Sequence, residues 1–395
     1  MKIMLIQKLQ RAKLYTVFLA IQCLCLVSAC GGGGGGSAQA APTTPSAPNA
    51  PATPQTIAAP TITATAAQNG AVIISMSSTT SGAAIYYSTD GSTPTSSSLI
   101  YSAPLLVASP QTIHAIAASG TTTSSLTSYQ FTSAIAAGTL VWSDEFTNTS
   151  GLNAAPNPTT WQFESKAGGF QTVNNELEVY CAWASLASPC NSTPNTYVGA
   201  TDGYLHIIAQ QPSSGVYTSG RIKTEGLLGI NYGRVEAMIK LPEGQGLWPA
   251  FWLLGGNINT VGWPACGEMD VMEHINAPTP DWIAGTVHMT GASGSSGISS
   301  HYGASVASFS ASGWHAYGMI WSKGKVQFYV DSPSNIYATI QASSLPAGAV
   351  WPFDSGQASF ILLNLAVGGS WPGSPNSSTV FPAEMLVDYV RVYTN

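Results

Sequence analysis

The sequence predicts an all-β protein, a small β module followed by a larger β-sandwich domain. Three observations predict it. Glycine (40) and proline (25) are abundant in the 395 residues, which favours strands and loops over helices. No long run with a period of 3.6 follows the N-terminal segment. The apolar runs are short, many alternate with polar residues, and they are separated by turn clusters.

The N-terminus reads as a targeting segment. Lys2, Lys8, Arg11 and Lys13 form a basic region, and residues 14–27 an apolar core too short for a comfortable membrane span. It ends in Val27-Ser28-Ala29-Cys30, which resembles the bacterial lipobox. That resemblance makes residues 1–30 a lipoprotein signal peptide and Cys30 the lipidated first residue of the mature chain, held by several acyl chains. The alternative is an ordinary secretory signal cleaved near Ala29. The glycine run at 31–36 favours a tether. With Gly31 rather than an aspartate after the cysteine, the resemblance implies export to the outer membrane or cell surface. Residues 31–57 are Gly, then Ala, Pro, Thr and Ser, a linker composition that builds no core.

Net charge is −6, with 12 Lys+Arg and no basic patch. This disfavours nucleic acid and anionic polymers as partners and suits a neutral ligand. A monomer is expected. Beyond the signal and Cys30 three cysteines remain, and export permits disulfides. Cys181 and Cys190 bracket a short loop and could pair, leaving Cys266 as a small buried filler two residues before Glu268.

Residues 58–132 form the small module. Ala71-Val72-Ile73-Ile74-Ser75, Ala84-Ile85-Tyr86-Tyr87 and Thr112-Ile113-His114-Ala115-Ile116-Ala117 read as strands, and Asp90-Gly91 as a tight turn. The run from Ile85 through Asp90-Gly91-Ser92-Thr93-Pro94, with Tyr101 and the last strand, resembles the C-terminal β domain of chitobiase and hexosaminidase enzymes. Its tyrosines (Tyr86, Tyr87, Tyr101) either bind sugar or pack in the module's own core.

Residues 138–395 suit one large sandwich of two stacked sheets. Its chemical centre is Glu268-Met269-Asp270-Val271-Met272-Glu273, three carboxylates in six residues of a chain only 8% charged. Alternation with apolar residues predicts a half-buried strand with Glu268 and Asp270 on one face. Side chains alternate strictly, so Glu273 reaches that face only through a one-residue bulge within Asp270-Val271-Met272. Three acids on one face repel, which raises at least one pKa and sets a general acid beside an anionic carboxylate. Trp248-Pro249-Ala250-Phe251-Trp252 and Trp263-Pro264 upstream supply indole faces of the kind that stack on sugar rings. The bland alternative is an amphipathic strand with a polar outer face.

The ordered motifs of this domain resemble family 16 of the glycoside hydrolases, the bacterial laminarinase (endo-β-1,3-glucanase) branch in particular. They are Trp142-Ser143-Asp144-Glu145-Phe146, Asn174-Asn175-Glu176-Leu177-Glu178-Val179-Tyr180, Tyr217-Thr218-Ser219-Gly220-Arg221-Ile222 and Tyr232-Gly233-Arg234-Val235-Glu236-Ala237. The acid motif, Leu363-Asn364-Leu365-Ala366-Val367-Gly368-Gly369, Trp371-Pro372-Gly373 and Val387-Asp388-Tyr389-Val390-Arg391-Val392 follow. Met238 departs from the arginine common in laminarinases; placed in a strand leading to the cleft, it bears on packing or substrate subsites.

The resemblance implies a jelly-roll sandwich with an open cleft, retaining cleavage of β-glycosidic bonds, and no cofactor for catalysis. By motif position Glu268 is the nucleophile, Glu273 the acid/base and Asp270 the assisting acid. Trp248, Trp252, Trp263, Asn175, His288 and Asn364 are the substrate-binding candidates, with Trp252 partly core. Glu145 and Asp388 match positions near a structural calcium site. The implied partner is β-glucan. A surface glycan-binding lipoprotein with an inactive hydrolase-like domain is the other class of reading, and other β-glucans or galactans are other family substrates. The bulged motif only weakly excludes the unbulged lichenase type.

Overall fold

A computed structural model describes residues 56–165, 174–191, 193–276, 281–291, 297–303 and 309–395. Cys30, the signal segment and all but the last two linker residues lie outside them. The described chain is almost entirely β, with one short helix, Ile258–Val261, and two 3-10 turns. Among the described residues no helix is long and apolar enough to cross a membrane.

Two sheets form the large domain. The first runs in the order Gln162–Phe163, Arg221–Lys223, Ser359–Val367, Leu247–Gly255, Glu268–Glu273, Ile283–His288 and Gly297–Tyr302. The second runs Glu178–Tyr180, Val216–Ser219, Leu205–Ser213, Ala383–Tyr393, Gly233–Lys240, Trp314–Ser322, Lys325–Val330 and Ile336–Gln341. Strands distant in sequence are neighbours in both, as in a jelly roll.

Alternation decides what lies between the sheets. Phe251, Leu253, Met269, Val271, Met272, Ile361 and Leu363 point from the first sheet into one buried cluster. Leu205, Ile207, Val235, Ala237, Met319, Phe328 and Val387 meet them from the second. Each fully buried side chain of this size contributes about 1.5–3 kcal/mol. The residues between them on the first sheet therefore face away from the core, and that outer face carries the acids. Met238 lies instead on the second sheet, opposite Ala316 and Tyr389. Val235, Ala237 and Ile239 of its strand fill the core, so Met238 faces outward there and lines no subsite beside the acids. Its neighbours in the motif suggested a cleft strand, but strand order places it on the other sheet.

The small module is also a pair of sheets, one of Thr61–Ala66, Val72–Ser77 and Leu105–Val107, the other built on Ala84–Ser88 and Gln111–Ser119. Ile74, Met76, Ile85, Tyr87, Val107, Ile113 and Phe131 form its core. Tyr87, 1% exposed, is a core residue, and Tyr101 packs against the same cluster. The module is joined to the large domain by backbone hydrogen bonds: Gly229 N–H donates to Pro104 O (2.7 Å) and Leu106 N–H to Gly229 O (3.0 Å). A Cβ on Gly229 would lie 2.9 Å from the Ala358 Cβ of the same domain, so packing inside the large domain favours glycine there.

Candidate active site

Register sets the acids on one face. On one side Glu268 pairs with Leu254, Asp270 with Trp252 and Glu273 with Ala250; on the other they pair with His288, Thr286 and Ala284. Both neighbours alternate regularly through these positions, while the acid strand has one residue too many between Asp270 and Glu273. That is a β-bulge. Val271 and Met272 both turn into the core, at 1% and 0% exposure, and Glu273 returns to the face of Glu268 and Asp270. Gly267 leads into the strand at φ +80°, where a Cβ would meet Pro352 Cγ at 2.8 Å and Phe353 Cε1 at 2.9 Å.

The site is crowded with carboxyls. Asp270 is 4% exposed, and Glu268 and Glu273 are half-buried. All three carboxyls are pushed up to about 8, first by burial. The charge of Asp270 adds to the rise at Glu268 and Glu273. His288 and Arg221 act against it at Glu268; His288 and hydrogen bonds from Trp248 and Thr286 act against it at Glu273. Three neighbours with raised values do not all ionise near neutrality, so the cluster keeps at least one proton. His288 Nε2 lies 3.1 Å from Asp270 Oδ2 and 3.6 Å from Glu268 Oε1. Donor atoms of Glu268, Asp270 and His288 fall within 4.8 Å of one another, close enough to hold a cation.

Aromatic rings flank the acids at both ends. At the Glu273 end, Trp248 donates its indole N–H to Glu273 Oε1 (3.0 Å). The Trp248 ring meets Trp371 edge-on at 5.4 Å, and Trp371 contacts Trp282 at 5.9 Å. At the Glu268 end, Trp263 is half exposed and packs against His288 at 5.6 Å. Trp252 shares the acids' face, opposite Asp270. Its N–H donates to Asn364 Oδ1 (2.8 Å), and Asn364 Nδ2 donates to Tyr180 Oη (3.3 Å). Asn175, at φ 57°, donates from Nδ2 to Ser370 Oγ (2.7 Å), which adjoins Trp371.

Several residues here escaped sequence reasoning as site components. Arg221 is buried over the Trp252 ring (4.7 Å), and its Nε pairs with buried Glu164 (3.0 Å). Glu178 is buried beside Glu176, is pushed up to about 8 by burial and that neighbour, and accepts the Val367 N–H (2.7 Å). A charged residue at an inward-reading position was the available signal. Trp371 carried the Trp-Pro-Gly motif as its signal, and Trp282 none beyond being tryptophan.

Cys181 and Cys190 are joined by a disulfide. Cys266 is a buried free cysteine whose thiol is pushed up to about 12 by burial and the Glu268 charge, so it is no nucleophile near neutral pH. Of the two calcium candidates, Glu145 is engaged in an ion pair. Arg391 donates from Nε and Nη2 to both oxygens of Glu145 (2.9 and 2.8 Å). Neither Glu145 nor Asp388 belongs to a metal-spaced group among the described residues. No step below uses a metal.

Comparison with known proteins agrees with this geometry. Residues 187–390 match the family described as glycosyl hydrolases family 16, and residues 63–129 match the chitobiase/beta-hexosaminidase C-terminal domain. A beta-glucanase of Rhodothermus marinus is 36% identical over 64% of this chain and 84% of its own length. Glucan endo-1,3-beta-glucosidase A1 of Niallia circulans is 35% identical over 66% of this chain. The match spans 38% of that enzyme, and 34% of the clotting factor G alpha subunit of Tachypleus tridentatus. The crystal structure of an endo-beta-1,3-glucanase from Pyrococcus furiosus superposes with a TM-score of 0.56 at 41% identity, covering 65% of this chain and 94% of that one. A sandwich with three acids on its outer face, matched in sequence across half the chain, places this protein in family 16 of the glycosyl hydrolases.

Proposed function

We propose that the protein is a retaining, endo-acting hydrolase of β-1,3-glucan. The bulge at Val271 carries the reading, because it supports two glutamates acting on one bond from one face. Retaining hydrolysis needs its two carboxyls about 5–5.5 Å apart, one anionic and one protonated. Glu268 is the anion and attacks the anomeric carbon; Arg221 and His288 favour its charge. Glu273 holds the proton and gives it to the glycosidic oxygen as the bond breaks. The Glu273 carboxylate then takes a proton from water, whose oxygen attacks the anomeric carbon and frees Glu268. Asp270, with His288 Nε2 beside it, sits between them and keeps both values raised. Trp248 orients Glu273 through its N–H and, with Trp263, offers a ring for the sugars.

The cations on this face are already neutralised. Arg221 pairs with Glu164, and Lys223 with Glu164 (3.6 Å) and Glu225 (2.6 Å). That favours a neutral glucan over a sulfated polymer such as the one named for a 32% identical relative, the keratan-sulfate endo-1,4-beta-galactosidase of Sphingobacterium multivorum. Reducing-sugar release from laminarin, with the anomer first formed read by proton NMR, is the test. The β-anomer is expected from the intact protein and no release from Glu268→Gln. Initial α-anomer would sink the retaining mechanism, and binding without release would make the domain a glycan-binding module.

We also propose that the glucanase domain, residues 138–395, is carried with the module, residues 58–132, as a monomer on a lipid anchor at Cys30. Mass spectrometry of the mature N-terminus decides this; an unmodified N-terminus near residue 30 would refute it.

A further inference from the structure

The joint between module and large domain forms a half-open cavity of about 300 Å³. This is the lower end of the range for sites that take small ligands. Its walls come from both parts: Ser102 and Ala103 of the module, and Gln162, Glu225, Asn259 and Phe360 of the large domain.

Register ties this cavity to the catalytic face. Phe360 pairs with Leu254, which pairs with Glu268. Gln162 pairs with Lys223, Lys223 with Leu362, Leu362 with Trp252, and Trp252 with Asp270. Cross-strand partners point to the same side of a sheet, so Phe360 and Gln162 share the face of the acids. Glu225 follows Lys223 at the end of its strand. Two strand spacings separate the rows of Phe360 and Glu268, about 10 Å. Phe360 is 4% exposed although it faces away from the core between the sheets, and it lines the cavity together with Ser102 and Ala103 of the module. The lining suits a neutral sugar. Glu225 accepts hydroxyl hydrogen bonds, Gln162, Asn259 and Ser102 donate and accept them, and Phe360 with Ala103 supplies an apolar patch. Packing at the joint favours glycine here: a Cβ on Gly256 would fall 2.7 Å from Ser102 Oγ and 2.9 Å from Ala358 O.

We propose that the small module completes a distal sugar-binding subsite on the catalytic face, a few rings along the glucan from the cleaved bond. This rests on the glucan-hydrolase reading for the identity of the ligand. The test uses the full chain and β-1,3-gluco-oligosaccharides of increasing length. Titration calorimetry with the Glu268→Gln protein is expected to show a step in affinity, about tenfold, at the length that reaches the cavity. Ser102→Trp, which fills the cavity from its exposed rim, is expected to remove that step, and Asn259→Ala to reduce it. The intact enzyme is expected to show the same step in kcat/KM. If Ser102→Trp and Asn259→Ala keep the step, or no step occurs, the subsite is refuted. If the step in affinity is present and lost on substitution while the intact protein hydrolyses none of the oligosaccharides, the hydrolase reading fails and the subsite stands.

Discussion

Deleting Val271 tests the acid strand most directly. Phe251 already pairs with Met272 and Trp252 with Asp270, so Val271 is the residue without a counterpart. Its removal leaves Glu-Met-Asp-Met-Glu, a regular strand in which all three acids still share a face. The loss is packing. Val271 is 1% exposed, and giving up its burial costs about 1.5–3 kcal/mol. That lowers Tm by roughly 3–12 °C in a domain of this size. The acids shift slightly along the strand, and a misplacement of about 1 Å costs up to roughly 100-fold in rate. Deleting Val271 and Met272 together should behave differently. Glu273 then takes the core position of Met272, which is 0% exposed. A carboxyl group buried there without a partner costs on the order of 2–7 kcal/mol even when neutral, and the catalytic pair is broken. Laminarin hydrolysis and thermal unfolding, measured on both proteins, give the answer. The single deletion should fold and hydrolyse within about 100-fold of the intact enzyme, while the double deletion should be inactive. A folded single deletion as inactive as Glu268→Gln, or an active double deletion, would refute the argument that face parity makes the site.

Other outcomes follow from the same structure. Glu268 and Glu273 are raised alike, to about 8, so kcat/KM should rise as Glu268 ionises and fall at higher pH as Glu273 loses its proton. The Trp248 N–H lowers the Glu273 value, so Trp248→Phe should move this basic limb to higher pH and reduce kcat/KM about 10–100-fold, the worth of a hydrogen bond to a charged group; a downward move would contradict the contact. On the second sheet, burial opposes the charge on His206, but Glu384 (2.6 Å) and Asp202 (3.1 Å) outweigh it and raise its value. Its stabilisation is complete below the ordinary histidine value of about 6.5 and is lost as pH rises through the raised one. The Tm difference between the intact protein and His206→Gln should therefore shrink with rising pH, and a constant difference would exclude the ionic contribution. Cys181→Ser with Cys190→Ser opens a short loop and should cost about 2–3 kcal/mol by denaturant unfolding; no change would mean the closed loop gives no stabilisation.

The sequence by itself determined the β class, the acid row and the requirement for a bulge. Each of these is local: side chains alternate with period two, so six consecutive residues state which face each acid takes and that Glu273 needs one extra residue. It also placed tryptophans near the acids, because they lie within a few residues of that strand. Only the tertiary structure decided which distant residues meet. Arg221 reaches the Trp252 ring because its strand pairs with Ser359–Val367, which pairs with Leu247–Gly255. Glu145 is claimed by Arg391 across 246 positions, and Met238 lies on the opposite sheet from the acids. The cavity beside Phe360 lies where Gly256 admits the Ser102 side chain of the module. Strand order and domain contact join positions far apart in sequence, and no local pattern encodes which partner a strand will take.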